Sequence, residues 1–253
     1  MRTKLKQLAA LFLSLSLILG GISVLTPSFN DTTFALEEKM SIPVQAPKYI
    51  FLFIGDGMTF PQFTAASSYL GTKNTGDKRV EDKKLEFMKF PVVGTATTFD
   101  SSSFCPDSAS TATSISTGFK TLSGVINMNE QKNLAYEAIS ETLKKEKNYK
   151  IGVVSSVPLN HATPAAFYAH QPSRNNYYEI GREMITSNFD YFGGGGLIAS
   201  KGKDNNLTDL RTLAKNAGYK VVENTKDILA LNTADKKVIA MNQTLVGDAL
   251  PYE

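Results

Sequence analysis

Hydrophobic and polar positions alternate along the chain in two different rhythms. "KYIFLFIGD" at 48–56 is nearly continuous in apolar residues, the pattern of a strand buried on both faces. "FTAASSYLG" then predicts a short helix stopped at Gly71. "FPVVGTATTF" at 90–99 is β-rich, and a helix of small residues is expected from Ser108. Over 133–147, Ala135, Ile139 and Leu143 share one face, and Glu141 and Lys145 pair across one turn. "YKIGVVSSV" at 149–157 predicts another buried strand, 175–188 fits a helix, and "FDYFGGGG" predicts a strand ending in a sharp glycine turn. Leu207, Leu210 and Leu213 mark a further helix stopped by Gly218, and "KKVIAMN" predicts a last strand. Strand and helix in alternation imply one α/β domain with a mostly parallel sheet.

The first thirty-five residues stand apart from this rhythm. Arg2, Lys4 and Lys6 precede the apolar run from Leu8 to Leu25, and Thr33-Phe34-Ala35 is a small-residue cleavage pattern. Residues 1–35 are therefore expected to be a signal peptide that exports the protein. A run of this length could also span a bilayer as an uncleaved anchor. The glycines at 20 and 21 and the small residue at the end favour cleavage, with no stable membrane association afterwards.

Composition removes some function classes. Of 253 residues, 42% are hydrophobic and 20% charged, ordinary for a folded domain. A net charge of +3, with its Lys and Arg spread out, gives no basic patch for nucleic acid. Cys105 is the single cysteine, so an intrachain disulfide is excluded. His161 and His170 are the only histidines.

Three clusters carry candidate chemistry. In parallel α/β sheets, ligands collect at the carboxyl ends of strands. Asp56 falls there in "FIGDGM", where flanking glycines keep the backbone sharp and the carboxylate uncovered. An aspartate that simply caps the next helix fits equally well. Ser108 opens "SASTATSISTG", so a helix starting there aims its dipole and unpaired N–H groups at whatever lies over the hydroxyl, and phosphate suits that place. A buried Ala/Ser-rich helix with Asp107 or Ser108 as an ordinary N-cap is the competing account. Residues 160–174, "NHATPAAFYAHQPSR", hold His161, Thr163 and Arg174 in one loop and one short helix. A guanidinium can grip two phosphoryl oxygens, a threonine hydroxyl suits magnesium, and an imidazole can ligate or support a metal. Each also has a bland alternative as a helix start, a surface arginine or a loop histidine. His170, after the apolar "AAFYA", is expected on a helix as a structural imidazole.

"FIGDGM", "PDSASTATSISTG" and "HATPAAFYAHQPSR", in this order, resemble the alkaline phosphatases from about Lys48 onward. Asp107, Ser108, Ala109, Ser110, Thr111, Ala112 and Thr113 match the family's serine signature; Cys105 departs from its usual Ile or Val. The resemblance implies a mostly parallel central sheet with helices on both faces. It implies a secreted or cell-envelope, metal-dependent phosphomonoester hydrolase. Ser108 would be the nucleophile of a phosphoserine intermediate and a zinc-facing oxygen. Asp56 would bridge zinc and magnesium, Thr163 would ligate magnesium, and His161 would stand in the third metal site. Arg174, steadied by Asp107, would hold the phosphoryl oxygens, and a homodimer is possible in the full-length form. In the family most ligands of the two zincs come from a later half of a longer chain. Residues 36–253 are accordingly expected to be the N-terminal portion of one such domain, its fold incomplete and its zinc site unassembled. The alternative is an inactive remnant that binds phosphate weakly. A sulfatase would need Cys/Ser-x-Pro-x-Arg, which Cys105-Pro106 does not continue.

Overall fold

The computed structural model describes residues 46–75 and 83–242, so the expected signal peptide lies outside the described residues. The chain forms two compact units, one up to Ile54 and one from Gly55. In the first, residues 46–54 form neither helix nor strand, and the side chains of Phe51 and Phe53 are exposed. The strand expected at 48–56 is therefore absent. An apolar run says that a segment favours cover, but a ladder also needs a partner backbone, which periodicity does not supply. The strand expected at 90–99 is absent for the same reason: β-propensity measures fit to a pleated surface, and here Val92 and Val93 are exposed.

The second unit begins with helix α1 (Phe60–Thr75), which runs through Gly71 instead of stopping there. One glycine inside a helix costs only about 1 kcal/mol against alanine, so it weakens the helix without ending it. A short 3₁₀ turn (Glu86–Lys89) follows, then α2 (Ser108–Thr117). Helix α3 (Ile139–Lys147) starts six residues later than its periodicity suggested. Ala135 is instead held in an antiparallel bridge to Met128, and the Glu141 carboxylate accepts from the Ala138 N–H at 2.8 Å to close the helix end. Strand β1 (Gly152–Val154), the single turn α4 (Ala162–Ala165), α5 (Tyr177–Thr186) and β2 (Tyr191–Gly194) come next. Helix α6 (Leu210–Asn216) is capped by Asp209, which leaves Leu207 outside it. Then follow β3 (Lys220–Val222), α7 (Thr225–Leu229) and β4 (Val238–Met241). Neither β3 nor α7 is signalled by periodicity, each being five residues or fewer.

The four strands form one parallel sheet in the order β1-β2-β4-β3. Val153, Phe192, Ile239 and Val221 stand in one row across it. This is the α/β class expected, a parallel sheet with helices. Phe192 is fully buried, with Tyr168 edge-on at 5.4 Å and Phe189 stacked at 6.0 Å. Gly194 explains the glycine turn after β2, because a Cβ there would meet the Ser155 and Val157 carbonyls, each at 3.1 Å. No helix among the described residues is long and apolar enough to cross a membrane.

Candidate functional site

Helix α2 is built to lie close to its neighbour. Ala109, Ala112, Thr113 and Ser116 repeat at helical spacing and are buried, and the two alanines share a core cluster with Ala162, Ala165 and Ala166 of the α4 segment. Short side chains let the two backbones approach, and Asn127 ties them together. Its Nδ2 donates to the Ala166 carbonyl at 2.7 Å, and its Oδ1 accepts from Ser116 Oγ at 3.1 Å. The helix ends at Gly118, whose φ of 79° is the left-handed region that favours glycine.

At the other end, Asp107 is the N-cap, accepting from Ser110 N at 3.0 Å, and Ser108 is the first helical residue. The aspartate caps, and the Ser108 hydroxyl sits at the positive end of the helix. Asp56 lies in a tight turn closed by the Met58 N–H on the Gly55 carbonyl at 3.1 Å, with Gly57 at φ 66°. Its Oδ1 accepts from Ser108 Oγ at 3.3 Å and its Oδ2 from Thr163 Oγ1 at 3.0 Å. Two hydroxyls more than fifty residues apart in sequence therefore share one carboxylate.

Arg174 is delivered by the bridge between Ile126 and Gln171 and by its own N–H on the Gly124 carbonyl at 2.7 Å. Its Nη1 donates to Asp107 Oδ2 at 2.9 Å, and its Nη2 stands 3.4 Å from His161 Nε2. A guanidinium has no acceptor, so the imidazole nitrogen must accept, which assigns the neutral tautomer protonated on Nδ1. Burial and the Arg174 charge both push the His161 pKa below its ordinary value, with Asp56 opposing them. Nδ1 is buried and has no hydrogen-bond partner among the described residues. Burial pushes the Asp107 carboxyl up, but hydrogen bonds from the Gly124 and Ser110 N–H groups, the Ser110 hydroxyl and Arg174 outweigh it and hold it low.

The six residues singled out by sequence thus fall in two hydrogen-bonded groups, Thr163, Asp56 and Ser108 in one and Asp107, Arg174 and His161 in the other, which adjoin at the Asp107–Ser108 peptide bond. His170 stays outside both. It lies beyond α4 and not on a helix, with Nε2 3.2 Å from Glu141 Oε2. Of the side chains that support the two groups, Asp100 and Asn127 carry no sequence signal and Ser110 has only its place in the serine signature, because each works through contacts set by the fold.

The donor set discriminates between metals. One carboxylate and two hydroxyls are hard oxygen donors of the kind magnesium takes. A zinc pair takes about eight ligands, drawn largely from His, Cys and carboxylates. Among the described residues no group of three or more His, Cys, Asp or Glu is placed to hold a metal ion. The residues present fit part of a magnesium site and do not fit a zinc pair.

Residues 47–242 match the alkaline phosphatase family. Alkaline phosphatase 4 of Bacillus subtilis (strain 168) is 31% identical over 234 residues, covering 88% of this chain and 49% of its own length. Alkaline phosphatase 3 of the same strain is 33% identical, covering 77% and 41%. The chain thus spans about half the length of the curated relatives it matches. Among solved structures, a cold-active alkaline phosphatase from the psychrophile Shewanella sp. superposes with a TM-score of 0.61 at 28% identity, over 79% of this chain and 46% of that one. The alkaline phosphatase of the Antarctic bacterium TAB5 gives 0.59 at 28% identity, over 74% and 52%. A histidine-to-aspartate mutant of that protein has Mg bound in its M3 site. From the match over most of its described length, the chain belongs to the alkaline phosphatase family.

Proposed function

We propose that this chain carries the nucleophile and the phosphate grip of an exported phosphomonoester hydrolase. The observation that supports it is the joining of Ser108 and Thr163 on Asp56, next to the Asp107–Arg174–His161 line. Residues 1–35 serve as the signal peptide and 36–253 as the N-terminal portion of the phosphatase domain, which forms a homodimer in its full-length form. Phosphomonoesters are the substrate, and neither nucleic acid nor membrane is a partner.

Each residue has a physical task. Asp56 orients the Ser108 hydroxyl, whose oxygen attacks phosphorus while the bond to the ester oxygen breaks and the alcohol departs with a proton. Water then cleaves the phosphoserine and restores the hydroxyl. Asp107 takes an N–H of Arg174 Nη1 and His161 one of Nη2, which leaves the other N–H donors of the fork to take phosphoryl oxygens. The positive end of α2 adds to the same charge balance. Asp56 and Thr163 would hold magnesium, which supplies electrostatic stabilisation of the charged centre when bound. No step is assigned to zinc on the residues present.

The test is p-nitrophenyl phosphate turnover by the full gene product, supplied with zinc and magnesium, against its Ser108→Ala variant. A loss on the order of a thousandfold or more is expected, with acid-stable phosphate trapped on the wild type alone. Equal turnover by both proteins ends the proposal. A second reading, a phosphate binder without turnover, is favoured by the one imidazole and two carboxylates gathered where a zinc pair takes about eight ligands. Phosphate binding with no hydrolysis by the wild type would select it.

A further inference from the structure

A second carboxylate stands behind the first. Asp100, 5% exposed, has five donors within hydrogen-bond distance: at Oδ1 Ser102 N (2.7 Å), Ser102 Oγ (2.9 Å) and Ser103 N (2.6 Å), and at Oδ2 Ser110 Oγ (2.8 Å) and Ser123 Oγ (2.5 Å). All five donors are neutral. Burial pushes this carboxyl up, but the bonds from Ser123, Ser102 and Ser110 outweigh it and hold the group well below the usual carboxylate range.

The fully buried Ser110 hydroxyl lies 2.8 Å from Asp100 Oδ2 and also 2.8 Å from Asp107 Oδ1. A hydroxyl has one proton to donate. Two carboxylates therefore compete for it. The far oxygen of Asp107 is the one that holds Arg174.

We propose that Ser110 and Asp100 are positioning residues that set the strength of the Arg174 phosphate grip, Asp100 competing with Asp107 for the single Ser110 proton. This role presupposes Arg174 as the phosphate-binding group proposed above. When the proton points to Asp107, it fixes that carboxylate and takes up part of its charge, leaving the guanidinium more of its own for phosphate. When the proton points to Asp100, Asp107 neutralises Arg174 more fully. The two residues consequently act in opposite directions. Removing the hydroxyl loosens Asp107 and exposes Arg174 to its whole charge, so phosphate binds more weakly. Replacing Asp100 by its neutral isostere turns the Ser110 proton to Asp107 and removes a negative charge behind the site, so phosphate binds more tightly.

The experiment is calorimetric titration of the full gene product with inorganic phosphate, in zinc and magnesium, for the wild type, Ser110→Ala, Asp100→Asn and Ser116→Ala. Ser116 is as deeply buried in the same helix and is hydrogen-bonded to Asn127, away from Asp107. Ser110→Ala is expected to raise the Kd for phosphate roughly three- to tenfold and Asp100→Asn to lower it by a similar factor, each the net size of one ordinary hydrogen bond. Ser116→Ala should leave it within about twofold, as a change outside the network does. A purely structural role would weaken binding in both variants. Shifts of the same sign, no shift in either, or no phosphate binding by the wild type would overturn the inference. Should Ser110→Ala not fold, the sign of the Asp100→Asn shift decides alone. Hydrolysis by Ser108→Ala at the wild-type rate would count against the phosphatase proposal, whereas the affinity shifts decide the Ser110 network independently of turnover.

Discussion

Asn127→Ala removes the side chain that ties the serine helix to the segment bearing Thr163. The residue is fully buried and sits at φ 46°, a left-handed conformation that asparagine adopts more readily than alanine. Three costs follow from its surroundings. The Ser116 hydroxyl loses one partner but keeps the Thr113 carbonyl at 3.3 Å, so this loss is about 1 kcal/mol. The Ala166 carbonyl loses its Asn127 donor in a buried place, which costs about 1–3 kcal/mol. Alanine adopts left-handed backbone less readily than asparagine, which adds at most about 1–2 kcal/mol. Together these reach about 2–6 kcal/mol, a large share of the roughly 5–15 kcal/mol that holds a typical domain folded. Urea unfolding of the full gene product measures it, with Asn127→Gly as the internal control. Glycine loses the same hydrogen bonds but not the backbone conformation, so it should be the milder change by about 1 kcal/mol. An alanine variant within about 1 kcal/mol of the wild type, or a glycine variant no better than alanine, would refute the hydrogen-bond and backbone assignment alike.

Two further outcomes test the electrostatics. Burial lowers the His170 pKa, but its hydrogen bond to Glu141, the charges of Glu141 and Glu183 and the Tyr136 backbone together raise it above the ordinary histidine value. A raised folded-state pKa means that the stabilisation is fully present below the unfolded value, about 6.5, and is lost as pH rises through the folded one. His170→Gln should accordingly destabilise the protein more at pH 5.5 than at pH 9 in parallel urea titrations; an equal cost at both would exclude the ion pair. Arg174→Lys keeps a charge beside Asp107 but loses the planar fork, so kcat/KM for p-nitrophenyl phosphate should fall roughly ten- to hundredfold, whereas a change under threefold would remove Arg174 from the phosphate grip.

The parts of the molecule legible in sequence are those whose cause is local. Small residues repeating from Ala109 to Ser116, with Asp107 before and Gly118 after, dictate a capped helix by themselves, and the structure has it. The segments "GVV" and "VIAM" lie within the strands expected from their apolar runs. Residues 48–54 and 90–99 carry equally strong runs yet form no strand, because pairing depends on a neighbour elsewhere in the chain. The candidate site divides the same way. Asp56, Ser108, Thr163 and Arg174 stand out through their motifs. Asn127 looks like any asparagine, and the serine signature that holds Ser110 does not reveal its part, since what makes them important is a carboxylate ten residues back and a carbonyl thirty-nine residues on.

The strand order carries a consequence for synthesis. β4 lies between β2 and β3, so β3, although made earlier, has no ladder partner other than β4 among the described residues. On the ribosome, β1 and β2 can pair as soon as Gly194 has emerged, while Lys220–Val222 must wait, unzipped, until Val238–Met241 leaves the exit tunnel. The nascent chain thus matures in two instalments, and a pause in translation between them would hold one flank of the sheet open.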